Sequence, residues 1–255
     1  MSETDDSRRP LAGQTALVTG GARRIGAHLV RALHTAGADV VIHYHRSEGD
    51  AQALTQALNG QRCGSATPVA ADLRAPPACG DAVAAAHAWA GRLDIVINNA
   101  SSFYATPVGA IDEPGFDDLM GTNLRAPTFI AQAAAPLLAD DGGGAIVNIA
   151  DIHGQRPCRD HPVYCAAKAG LISLTQALAR DLAPHVRVNA IAPGSILWPE
   201  NAHGANPAAR AAMLEATPLG RQGTPNDLAT ALLYLVAHAP FVTGQILPID
   251  GGRGL

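Results

Sequence analysis

No apolar run in this 255-residue sequence approaches the roughly 18–20 residues needed to span a bilayer, so no membrane partner is expected. Only 16% of the residues are charged. Asp and Glu number 22 against 18 Lys and Arg, a formal net charge of −4, which excludes a strongly basic nucleic-acid binder by bulk charge. Cysteine is scarce: Cys63, Cys79, Cys158 and Cys165 form no C-x-x-C pair and no zinc-like spacing. A reduced, cytoplasmic protein is the expectation. None of the ten histidines stands in an H-E-x-x-H arrangement, and no metal site is expected. The opening MSETDDSRRP lacks an apolar segment and reads as a flexible tail over residues 1–10 rather than a secretory signal. There is no internal repeat and no low-complexity linker.

What is present is apolar: 47% of the residues are hydrophobic, enough for a large core and against disorder. Val- and Ile-rich runs recur at Thr15–Val18, Val40–Ile42, Val69–Ala71, Ile95–Ile97, Ala145–Ile149, Val186–Val188 and Gln245–Ile249. Continuous runs of this kind suit strands buried on both faces. Helical stretches lie between them, with Ile25, Leu29, Leu33 and Ala36 on one face of the first and Leu171, Leu174 and Leu178 on one face of Ala166–Leu182. The alternation predicts a single α/β domain over residues 11–255, a doubly wound parallel sheet of seven strands with helices on both faces. Gly142–Gly144 reads as a loop. Residues 195–217 are long for an ordinary connection and follow the sixth strand, so they are expected to cover a substrate.

The first strand runs into Thr19-Gly20-Gly21-Ala22-Arg23-Arg24-Ile25-Gly26 and then a helix. Glycines permit a tight turn and close approach to a pyrophosphate, which the helix N-terminus attracts. Alone the motif is weak; directly after the first strand it reads as a dinucleotide site formed by Gly20, Arg23, Arg24, Ile25 and Gly26. An NAD-type site carries an acid at the end of the second strand, where this chain has His43-Tyr44-His45-Arg46-Ser47. His45, Arg46 and Ser47, with Arg23 nearby, suit a 2′-phosphate, so NADPH is the expected cofactor, Glu48 dissenting. Asp72 and Leu73 end the third strand, and Asn99, Ala100 and Ser101 end the fourth, on the same edge. Asp72 suits the adenine amino group or, equally, a helix N-cap.

Tyr164 and Lys168 stand four residues apart at the start of a predicted helix and share a face. A neighbouring ammonium favours the phenolate, so a lowered Tyr164 pKa is expected, suiting proton exchange near neutral pH. Asp151 lies at the end of the fifth strand, where burial and the phenolate are expected to raise its pKa. Asn123 sits in the preceding helical region, where its side chain is expected to bend the helix and hold a water.

On Thr19-Gly20…Gly26, Asn98-Asn99-Ala100, Asn123, Tyr164-x-x-x-Lys168, Asn189, Pro193-Gly194 and Asp250-Gly251-Gly252, the chain resembles the short-chain dehydrogenase/reductase family over most of its length. The resemblance implies a Rossmann fold, commonly a homotetramer, and hydride transfer from a nicotinamide. Tyr164 would be the proton donor, Lys168 would tune it and bind the nicotinamide ribose, Asn123 would complete the catalytic set, and Pro193, Gly194 and Ile196 would contact the cofactor. Two departures are informative. Arg24 stands where the family's turn has another glycine, and Asp151 replaces the catalytic serine. Both, with His43–Ser47 and Asn99-Ala100-Ser101-Ser102-Phe103, resemble pteridine reductases. That likeness implies Arg24 near cofactor phosphates and pterin, Asp151 in catalysis, Ser101 touching cofactor and substrate, and Phe103 stacked on the pterin ring. The expected substrate is a dihydropterin, dihydrofolate or oxidised pterin. A general carbonyl reductase, or an NADP(H)-sensing protein without turnover, stays open. Asp151 as a simple turn cap and Phe103 as ordinary core also stay open, and Arg253 is offered as an inter-subunit contact.

Overall fold

A computed structural model describes residues 9–198 and 206–255. Seven parallel strands form one sheet: β1 (Thr15–Val18), β2 (Asp39–Tyr44), β3 (Ala66–Ala70), β4 (Ile95–Asn98), β5 (Gly144–Ile149), β6 (Val186–Pro193) and β7 (Ile246–Ile249). Their spatial order is β3-β2-β1-β4-β5-β6-β7. Order reverses between β1 and β4, the place where open α/β sheets bind ligands beyond the strands' carboxyl ends.

Strand residues alternate between two cores. Ala16, Val18, Val40 and Ile42 join Leu29, Leu33, Leu54 and Leu228 on one face, whereas Leu17 and Val41 join Val83, Ile130 and Leu138 on the other. The first face is covered by helices α1 (Arg24–Thr35), α2 (Glu48–Gln61) and α8 (Pro225–Leu233). The second is covered by α3 (Pro76–Ala90) and α5 (Ala126–Asp140). Burial on both faces is why the strands read as continuous apolar runs.

Several boundaries differ from the sequence expectation. Strand β3 begins at Ala66 rather than Val69 because it is the sheet's edge, where partly exposed Thr67 and Pro68 give no apolar signal. Helix α6 (Pro162–Asp181) starts before Ala166, with Pro162 in its first turn. Gly144 belongs to β5 rather than to a loop. Segment 195–217 is not all loop: α7 (Pro207–Glu215) occupies part of it, capped by the Asn206 side chain, which accepts from Ala208 N and Ala209 N. Residues 199–205 lie outside the described residues, as do residues 1–8 of the expected tail. Leu11, just after that tail, is fully buried. Among the described residues no helix is long and apolar enough to cross a membrane.

Candidate active site

The first site component is the glycine turn after β1. Gly20 has φ 60°. A Cβ on Gly26 would lie 2.1 Å from Gly20 O and 2.7 Å from Asn99 Nδ2, so no larger residue fits that crossing. Asn99 Nδ2 donates to Thr19 O and Gly20 O at 2.9 and 3.0 Å. Thr19 Oγ1 in turn accepts from Asn99 N and Ala100 N at 2.9 and 3.0 Å.

His43 completes this clamp, a role the sequence reading missed. Gly20 N donates to its Nδ1 at 3.0 Å. Its Nε2 faces Ala71 O at 3.1 Å and must donate, because a carbonyl only accepts. The ring is therefore a neutral tautomer, and burial pushes its pKa down to about 4. The signal was a polar residue inside an otherwise apolar strand.

A cleft of about 590 Å³ opens beside this turn. Gly20, Arg23, Arg24, Ile25 and Gly26 line it on one side, and His45 and Arg46 at the end of β2. Asp72, Leu73, Asn99, Ala100 and Ser101 also line it. Ser47 and Glu48 are not among its lining residues. The chain turns away there: Ser47 is the N-cap of α2, and Glu48 sits in its first turn, accepting from Gln52 Nε2. Asp72 does not cap α3, whose N-cap is Ala75. Its carboxylate is instead gripped by Arg74, through Nε at 2.9 Å and Nη2 at 2.6 Å, which holds its pKa well below the usual carboxylate range. The glycine crossing, the exposed helix start and the basic rim fit a dinucleotide.

The second component is a cavity of about 330 Å³, which shares Arg24, Ile25, Asn99 and Ser101 with the cleft. Asp151, Tyr164, Lys168, Phe103, Pro193, Gly194, Ile196 and Arg253 also line it, Arg253 in its own chain. Gly194 lets β6 pass Asp250, whose Cβ would stand 2.7 Å from an added methyl. Arg24 has φ 49°, the left-handed region that a glycine adopts freely and other residues adopt at a cost of about 1–3 kcal/mol. Its Nη2 donates to Trp198 O at 3.0 Å.

Tyr164 Oη donates to Asp151 Oδ2 at 2.7 Å. The other carboxylate oxygen, Oδ1, accepts from His153 N at 2.8 Å, so Asp151 caps a short helical turn (Ile152–Gly154) and holds the phenol at once. Lys168 Nζ donates to Ile149 O at 2.8 Å and lies 5.7 Å from the Tyr164 ring centroid. Burial brings Lys168 down to about 8. The expected lowering of Tyr164 is overturned: burial and the Asp151 carboxylate raise its pKa well above 10. A carboxylate at hydrogen-bond distance outweighs an ammonium 5.7 Å from the ring centroid. Tyr164 is therefore a phenol that keeps its proton at neutral pH.

Asn123 is fully buried in a widened π-helical turn (Gly121–Arg125) joining α4 (Glu113–Met120) to α5. Its Nδ2 donates to Leu119 O and Ser102 O, both at 2.9 Å. Its Oδ1 accepts from Ser101 Oγ at 2.6 Å. Asn123 lines neither the cleft nor the cavity; its polar atoms fasten the 101–102 segment. Phe103 is not core. It is 53% exposed, stacked on His161 with centroids 4.6 Å apart and set edge-on to Tyr164 at 4.7 Å.

A family model described as enoyl-(acyl carrier protein) reductase matches residues 20–253. An uncharacterised oxidoreductase of Mycobacterium tuberculosis is 39% identical over 95% of this chain and 92% of its own length. L-xylulose reductase of Bos taurus is 35% identical over 95% and 97%. Pteridine reductase 1 of Leishmania tarentolae is 32% identical over 94% and 96%. A solved structure titled a putative short-chain alcohol dehydrogenase from Sinorhizobium meliloti superposes with a TM-score of 0.91 at 36% identity, covering 95% of this chain and 97% of that one. The chain belongs to the short-chain dehydrogenase/reductase family, oxidoreductases that bind a nicotinamide cofactor.

Proposed function

We propose that this protein is an NADPH-dependent pteridine reductase acting on a dihydropterin, dihydrofolate or oxidised pterin. The hydrogen bond from Tyr164 to a carboxylate, Asp151, carries the reading. When bound, NADPH supplies hydride to a carbon of a ring C=N unit, and the adjacent nitrogen needs a proton. Tyr164 holds that proton, and Asp151 relays its replacement from water. A carbonyl oxygen needs only a hydroxyl donor, so a carboxyl companion has its use with a ring nitrogen. Phe103 offers a flat apolar wall beside Tyr164, suited to stacking. Arg24 keeps a strained backbone where it borders both cleft and cavity, a position from which one guanidinium serves phosphate and heterocycle. Arg23 and Arg46 in the cleft, with Glu48 turned into α2, favour NADPH over NADH.

Similarity to L-xylulose reductase favours a second reading, reduction of a ketone. NADPH oxidation followed with dihydrobiopterin and with L-xylulose separates the two. Turnover of the ketone with no turnover of any pterin or folate removes the pteridine reading. Asp151→Ser sharpens the test. Pterin turnover is expected to fall by about tenfold or more, with residual ketone reduction changed by less than about threefold. Equal losses on both substrates would count against a proton-relay role for the carboxyl group.

A further inference from the structure

Phe103 follows β4 and His161 precedes α6, yet the two segments are fastened together. Thr106 N donates to Asp160 O at 2.6 Å. Asp160 has φ 60°, a left-handed residue that turns the chain immediately before His161. The His161 ring is oriented in its own right: Nδ1 lies 2.7 Å from Arg159 O and must donate to it. On that support the His161 and Phe103 rings lie 5° from parallel with centroids 4.6 Å apart, the offset stack that aromatic pairs favour. Phe103 lines the catalytic cavity and His161 does not. The imidazole therefore backs the phenyl ring from outside, and Phe103 keeps 53% of its surface exposed.

We infer that His161 is a positioning residue that holds Phe103 as a fixed aromatic wall beside Tyr164, and so selects flat heteroaromatic substrates. An exposed phenyl ring without backing samples several rotamers, and a ligand that stacks on it must first freeze them. A ring already stacked on one face presents the other at little ordering cost. The choice of substrate rests on the pteridine reading above; the positioning does not.

Kinetics and spectroscopy of His161→Ala and His161→Phe test this. With dihydrobiopterin, His161→Ala is expected to raise KM about five- to tenfold, the range one aromatic pair is worth. The kcat should stay within about twofold and NADPH affinity should not change, because Tyr164 and the cleft are untouched. His161→Phe keeps a ring at the same place and should restore KM to within about twofold of the parent. A measurement without turnover stands beside it. The chain has four phenylalanines, so aromatic NMR of phenylalanine-labelled protein resolves Phe103, assigned by its loss in Phe103→Leu. Its ring-current-shifted signal should move to the position of a solvent-exposed ring in His161→Ala and stay in His161→Phe. An unmoved Phe103 signal in His161→Ala, or a KM as poor in His161→Phe as in His161→Ala, overturns the positioning role. Absence of pterin turnover by the parent protein removes the substrate assignment instead, whatever the NMR shows.

Discussion

The two halves of the site are built differently. Around the β1 turn, backbone atoms and neutral side chains hold one another: Gly26 crosses Gly20, Asn99 ties two carbonyls, and His43 bridges Gly20 to Ala71. Around Tyr164, by contrast, titratable side chains from separate segments meet. Asp151 comes from the end of β5 and Tyr164 and Lys168 from α6, with the apolar ring of Phe103 set beside them from the segment after β4. The first half is a rigid mould whose tolerance is set by sterics. The second is an electrostatic assembly in which one group's charge sets another's proton affinity. A site needs both: a cradle that places a cofactor, and a cluster whose chemistry changes without disturbing that cradle.

The mould should fail most sharply. In Gly26→Ala the new methyl meets the Gly20 carbonyl at 2.1 Å, where only backbone movement relieves it. NADPH binding measured by calorimetry should weaken by up to about 100-fold, since overpacking at a backbone crossing costs about 1–3 kcal/mol and displaces the phosphate-binding amides. Near-normal affinity would show that the turn is softer than the crossing implies.

His43 sharpens the contrast through pH. Its folded pKa of about 4 lies below the ordinary 6.5, so the unfolded chain takes up the proton first as pH falls. The stability from keeping this ring neutral is therefore complete above 6.5, is lost as pH drops from 6.5 to about 4, and changes no further below that. The full loss is about 3 kcal/mol at roughly 1.4 kcal/mol per pKa unit. Urea unfolding of the parent and of His43→Asn at pH 7, 5.5 and 4.5 reads it as a difference. The parent's advantage should shrink toward the acid end, and a constant gap would mean that the imidazole is not held neutral.

Arg46 gives the smallest effect. Removing it in Arg46→Ala should raise the dissociation constant for NADPH about tenfold and leave that for NADH within about twofold, as a lost charge-assisted contact to one phosphate would. Equal changes for both cofactors would place the 2′-phosphate elsewhere, beside Arg23 for instance.

Much of this was legible in residue order. Apolar runs located all seven strands, and the glycine turn was found from its place after the first. Failures fell where exposure or direction decided. The start of strand β3 hid because an edge strand shows water its Thr67 and Pro68. For Ser47, expected beside a 2′-phosphate for its hydroxyl, residue order does not show that it opens α2 and stands outside the lining of the cleft. The partners of the Asn123 amide, Leu119, Ser101 and Ser102, are likewise ones that no spacing rule reveals.

Local pattern thus determined the sheet, the glycine crossing and the shared helical face of Tyr164 and Lys168, because each depends on neighbours a few residues apart. Only the tertiary structure decided the protonation of the site. Burial and through-space distance set Tyr164 above its ordinary pKa, with Asp151 as its partner, and left His43 neutral beneath the turn. Those quantities exist only once distant segments have been brought together and water excluded from between them.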